Sequence, residues 1–158
     1  MKKIAWGACA LFVLAFSPAQ AADEYKWIGQ ITEDGAALSF AIPQSDASKL
    51  DFHCDRRTKK IVVNYEHEPK DPRDGMKLTL QLSRKGNAAA ANVNIATTGQ
   101  RLELDDKFLL QGEIRMSPQL RRILSEGGTL LATVNGQTDE IPLDGAMQAA
   151  RRLFASCP

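Results

Sequence analysis

Residues 49–55, with the sequence KLDFHCD, combine a cysteine and a histidine that could bind a metal ion or take part in catalysis. If this segment is a strand, alternation places Cys54 on its apolar face and His53 on its polar face, between Asp51 and Asp55. Two interpretations are open: a structural cysteine beside a solvated face, or a metal or catalytic site. The choice depends on which other residues could join them.

His67 is the second candidate metal ligand, and Glu66 and Glu68 flank it. If a hairpin brought His67 close to His53, a cluster of His, Asp and Glu could bind a metal ion and assist hydrolysis. An HxD pair alone supplies only two or three ligands. We therefore expect no metal and no other cofactor, and keep a metal-assisted hydrolase using His53, His67 and nearby acids as the alternative.

Other catalytic patterns are weak. The chain has no GxSxG turn for a serine nucleophile, and both candidate cysteine nucleophiles lie on apolar faces, where the thiolate is disfavoured. The paired acids at 105–106 and 139–140 flank turns, which favours solvated carboxylates. The sequence thus predicts no catalytic residues and a protein that is not an enzyme.

The first residues predict a signal peptide. Lys2 and Lys3 form a basic start, residues 4–16 are apolar, and Ala19-Gln20-Ala21 matches a cleavage site. We expect residues 1–21 to be removed and the protein to be periplasmic or secreted. An uncleaved anchor is the alternative.

The mature chain, residues 22–158, has the size of a single domain. Cleavage removes two lysines from 20 basic and 19 acidic residues, so the mature net charge is −1. This balance gives no support for nucleic-acid binding. No second segment is apolar enough for stable membrane insertion after cleavage.

Cys54 and Cys157 are the cysteines that remain, because Cys9 leaves with the signal. Two cysteines in an exported chain usually pair, since the compartment is oxidising. A bridge closing a loop of about a hundred residues stabilises by roughly 4–5 kcal/mol in the chain-entropy model. We predict this disulfide.

The hydrophobic pattern predicts a mostly β fold with two helices. Met76, Leu78, Leu80 and Leu82 alternate with polar residues. Other short strands are predicted at 25–32, 36–42, 49–55, 61–65, 91–95, 102–104, 108–114, 130–134 and 141–143. Helices are predicted after Ser117-Pro118 and after Asp144. We expect an antiparallel β-sandwich-like domain closed by the C-terminal helix, which Cys157 ties to the sheet.

The segment HEPKDPRDG, residues 67–75, contains two prolines and predicts a surface loop. Its polar side chains form a possible binding loop. They are His67, Glu68, Lys70, Asp71, Arg73 and Asp74.

Three further stretches carry a resemblance: SFAIPQSD, the following LDFHCD, and the terminal IPLDGAMQAARRLFASC. With them the mature chain resembles a group of small exported bacterial proteins with one disulfide. The terminal stretch is also loosely similar to the invasion-associated locus B proteins. The resemblance implies an exported β domain with a non-enzymatic role. The expected function is a binding or accessory module for an unknown protein or envelope component.

Overall fold

A computed structural model describes residues 24–86, 91–102 and 107–158; the predicted signal peptide and the acids at 105–106 lie outside them. Within these ranges most residues are in strands. The elements are β1 (Lys26–Ile31), β2 (Gly35–Ala41), β3 (Ser48–Asp55), β4 (Lys60–Glu66), β5 (Lys77–Arg84), β6 (Asn92–Leu102), β7 (Lys107–Ile114), α1 (Pro118–Ser125), β8 (Thr129–Val134), β9 (Gln137–Pro142) and α2 (Ala146–Ser156).

All the described strands belong to one antiparallel sheet with the order β1-β2-β3-β4-β7-β6-β5-β8-β9. The first four strands form a meander. After β4 the chain passes the positions of β7 and β6 and enters β5, next to β8. The meander β5-β6-β7 therefore lies between β4 and β8 in the reverse of its order along the chain. This crossover is made by residues 67–76, which contain the predicted binding loop.

The sheet curls into a half-barrel. Tyr65 in β4 donates a hydrogen bond to Asp139 in β9, although β9 is five positions away in the sheet order. A flat sheet would separate these strands by about 24 Å, at roughly 4.8 Å per strand. At the outer strands, the Trp27 indole Nε1 donates to the Pro142 carbonyl at 2.7 Å. The predicted mostly β class with two helices is confirmed, and the sheet is a single curled one instead of a clear sandwich.

The inner face of the curl holds the core, and α2 covers part of it. Ala146, Ala150 and Leu153 are buried on one side of α2, and Cys157, the residue that follows the helix, is buried as well. Their spacing predicted this buried stripe. This helix packs on β1, β2 and β3, and α1 packs on α2. At Gly29 the helix approaches so closely that a Cβ would lie 2.0 Å from the Ala149 carbonyl oxygen.

One strand prediction was wrong in detail. Residues 91–95 and 102–104 were assigned to two short strands. Of these, residues 91–95 and 102 belong to, or directly precede, the single long strand β6, and residues 103–104 lie outside the described ranges. The first part of β6 pairs with β5 and the second with β7, so its burial pattern changes along its length. Each half therefore has the sequence pattern of a separate strand.

Candidate functional site

Cys54 and Cys157 form the predicted disulfide. Their Cα atoms are 6.1 Å apart across a sequence separation of 103, and both residues are buried. The bridge joins the inner face of β3 to the residue after α2. The structure thereby confirms the structural interpretation of Cys54, which fits an extracytoplasmic location.

His53 lies exposed on the outer face of β3. Its flanking acids are engaged elsewhere. Asp51 accepts a hydrogen bond from the Ser48 hydroxyl at 2.6 Å, and Asp55 accepts one from the backbone N–H of Arg57 at 2.7 Å. The Arg57 and Thr58 backbone donors lower the pKa of Asp55. Asp51 and Asp55 therefore bond to residues near the two ends of β3.

His67 lies on the opposite face of the sheet from His53. It follows β4, its backbone N–H donates to the Phe108 carbonyl, and its ring stacks on Tyr65 with centroids 6.0 Å apart. The hairpin therefore separates the two histidines. Within residues 24–86, 91–102 and 107–158, no group of three or more His, Cys, Asp or Glu residues is arranged to hold a metal ion.

His67 instead helps to form a cavity of about 250 Å³, here called the His67 pocket. The pocket lies where the start of β3, the end of β4 and the start of β9 meet. Its lining residues are Lys49, His67, Glu68, Gln137, Thr138 and Asp139. Of these, the sequence-predicted binding loop supplied His67 and Glu68.

A β-bulge places Lys49 in the pocket. Phe40 pairs with Leu50 and the next residue, Ala41, pairs with Ser48, so Lys49 is an extra residue in β3. A bulge of this kind redirects a side chain and disturbs strict alternation. The Lys49 ammonium accordingly lies 2.8 Å from Asp139 and 5.3 Å from the centre of the Tyr65 ring, on the core side.

Tyr65, Asp139 and Lys49 form one hydrogen-bonded network. The Tyr65 hydroxyl donates to Asp139 at 2.5 Å, and Lys49 binds the same carboxylate oxygen. Burial raises the pKa of Tyr65, and the bond to Asp139 raises it further. Burial alone would raise the pKa of Asp139, but the bonds from Lys49 and Tyr65 outweigh it and lower that pKa. Asp139 is therefore an anion with two donors, and its side chain is still 45% exposed. The sequence predicted a solvated carboxylate at this position but not its two bonding partners.

Burial lowers the pKa of His67, and the positive charge of Lys49 lowers it further, against weaker opposing effects of Asp139 and Glu68. Its imidazole is thus uncharged at neutral pH. The residue is only 7% exposed, yet in the part of the chain that the structure describes its ring makes no hydrogen bond. A polar ring in this position is available to a ligand that enters the pocket.

The predicted binding loop is a surface loop with fixed ends. At its far end, the Asp74 carboxylate accepts a hydrogen bond from the Arg101 backbone N–H, and the Gly75 N–H donates to the Gly99 carbonyl. The charged residues of the loop are nevertheless exposed, Asp74 included. The others are Glu68, Lys70, Asp71 and Arg73.

A second cavity, of about 450 Å³, lies at the other end of β9. Its walls include Tyr25, Trp27 and Phe40, with Tyr25 stacked on Phe40 at a centroid distance of 5.4 Å. Trp27 already uses its indole N–H on Pro142. This cavity is therefore more apolar than the His67 pocket.

Sequence reasoning missed four lining residues of the pocket, and also Tyr65, which binds Asp139 from the core side. The four are Lys49, Gln137, Thr138 and Asp139. Asp139 gave one usable signal, since alternation puts it on the same face as buried Ile141. A carboxylate on that face requires partners. For Lys49 no signal existed, because its direction results from the bulge.

Comparison with family models, with curated proteins and with solved structures gives no match. Within the described ranges, no helix combines the length and apolar composition needed to cross a bilayer.

Proposed function

We propose that this protein is an exported, non-enzymatic binding or accessory module that recognises a protein or envelope component through the His67 pocket and the adjoining loop. Export rests on the predicted signal peptide, and the disulfide is consistent with it. The resemblance to small exported single-disulfide proteins agrees with this assignment and stays a prediction.

The observation that carries the proposal is the convergence of polar side chains from separate parts of the chain on one cavity. Lys49, His67 and Asp139 come from β3, from the end of β4 and from β9. The bulge and the Tyr65–Asp139 bond hold two of them in place. A preorganised polar pocket of this kind suits recognition.

The chemistry of the pocket also favours binding over catalysis. The Tyr65 hydroxyl donates to Asp139 and its pKa is raised, which is the opposite of an activated nucleophile. The cysteines of the described chain are joined in the disulfide. The hydrolase alternative requires His53 and His67 in one site, and they lie on opposite faces of the sheet.

The test is a crosslinked pull-down of the tagged mature protein from intact cells, with partners identified by mass spectrometry. Cys54→Ser serves as the misfolded control. We expect a partner that the wild type captures and the control does not. Equal recovery by both, or no partner at all, would count against a binding module.

A further inference from the structure

The near-buried His67 ring points to a ligand for the pocket. It lines the cavity, is 7% exposed, and forms no hydrogen bond with the residues described. The His67 ring nitrogens are not among the fully buried unpartnered atoms of the described residues, so they are open to the pocket. A ligand group in the pocket can therefore donate to the unprotonated ring nitrogen.

The size of the pocket indicates a single side chain. About 250 Å³ is below the range of roughly 300–1,000 Å³ typical of small-molecule sites. A protein partner that inserts one side chain fits this space, and the exposed loop beside it offers further contact area.

The charged groups of the His67 pocket favour a cationic ligand. Lys49 is neutralised by Asp139 at 2.8 Å, and His67 is uncharged. Glu68 is exposed, and no ion pair to it is formed by any residue in the described ranges. The pocket therefore keeps one net negative charge, which favours a positively charged group over a carboxylate or a phosphate.

The geometry distinguishes the two basic side chains. A guanidinium is planar and carries five N–H donors in a fixed fork, whereas an ammonium has three. The pocket offers carboxylate, imidazole, amide and hydroxyl acceptors, while the Tyr65 ring is buried between Lys49 and His67. A planar group with several donors can bind Glu68 and the His67 ring nitrogen together.

We propose that the His67 pocket binds the guanidinium group of an arginine side chain presented by a partner protein, with Glu68 as the counter-charge and His67 as a hydrogen-bond acceptor. This inference rests on the proposed binding function and names the chemistry of its partner.

The experiment titrates the purified mature protein with Nα-acetyl-arginine amide and follows binding by ¹H–¹⁵N NMR. The neutral analogue Nα-acetyl-citrulline amide and the anionic Nα-acetyl-glutamate amide are the comparison probes. We expect saturable shifts at His67, Glu68 and Thr138 with the arginine probe alone. Equal binding of citrulline, or stronger binding of glutamate, would overturn the proposal.

Two variants examine the roles of the residues. Glu68→Gln should weaken arginine binding by roughly tenfold or more, the effect of a charge-assisted hydrogen bond. His67→Phe keeps an aromatic ring stacked on Tyr65 but removes the ring nitrogens, so it should also weaken arginine binding. Glu140→Gln is the matched control, because Glu140 pairs with Lys85 outside the pocket. Unchanged affinity in Glu68→Gln would refute the assigned counter-charge.

The pull-down with the same variants separates this inference from the proposed function. A partner captured by wild type and lost with Glu68→Gln supports both. A partner captured equally by Glu68→Gln leaves the binding function in place and overturns the arginine pocket.

Discussion

At the scale of single residues, the Asp139 carboxylate organises the site. It accepts the Tyr65 hydroxyl and binds Lys49, and so connects edge strand β9 to the middle of the sheet. A carboxylate on the core side of an edge strand also discourages pairing with a second chain. Asp139 therefore positions Lys49 in the pocket and also holds β9 against β4 in the curled sheet.

Removing the Tyr65 hydroxyl tests this connection. Tyr65→Phe keeps the ring in the core but takes one donor from Asp139, so we expect about 1–2 kcal/mol of lost unfolding free energy. Urea unfolding measures it. Tyr25→Phe is the control, because in the described chain the Tyr25 hydroxyl makes no hydrogen bond. Equal effects of the two variants would contradict the role of the Tyr65–Asp139 bond.

The protonation of His67 gives a pH dependence with a definite sign. Because the folded pKa lies below the ordinary value of 6.5, the unfolded chain takes up this proton first as pH falls. The contribution of His67 to stability is fully present above about pH 6.5 and is lost below it. NMR titration of the imidazole should give a midpoint under 6.5; a midpoint above it would disprove the burial argument.

At the scale of elements, the boundaries of most strands and both helices were predictable. Asn135-Gly136 predicted a tight hairpin, and both residues have positive φ. The stripe of α2 predicted its buried face. The strand partners were not predictable, since alternation shows which side of a strand is buried but not which strand lies beside it. Lys49 shows the same limit, because only the pairing register reveals its bulge.

The disulfide acts at this scale by tying α2 to β3. Replacing both cysteines by alanine should lower the unfolding free energy by roughly 3–5 kcal/mol, because a loop of 103 residues regains its freedom in the unfolded chain. Chemical denaturation measures the change. Alkylation of the native mature protein without reductant should label neither cysteine, and two labels would refute the bridge.

The contact between α2 and β1 gives another prediction. In Gly29→Ala the new methyl group would meet the Ala149 carbonyl, which is backbone and must move with its helix. We expect about 1–3 kcal/mol of destabilisation. Thermal unfolding measures it, with Gln30→Ala on the same strand as the control. A stability equal to that of the control would show that α2 packs less closely than described.

At the scale of the whole molecule, the curled sheet and the crossover of residues 67–76 create the site together. Because β5-β6-β7 lies in reverse order beside β4, the chain after His67 must cross the ends of β7 and β6. The curl of the sheet brings β9 to the end of β4, where this crossover begins. The sequence predicted the loop and its charges. It could not predict the pocket, because the pocket depends on contacts between segments about ninety residues apart in sequence.

Site-specific photo-crosslinking in intact cells tests whether partners bind at the His67 pocket. A photoreactive residue would replace Gln137 or Thr138 at the pocket, which leaves Glu68 in place, and His53 or Glu113 on the outer face, in separate variants. We expect a common partner adduct from the pocket positions and none from the outer face. Adducts only from the outer face, or from neither, would contradict it.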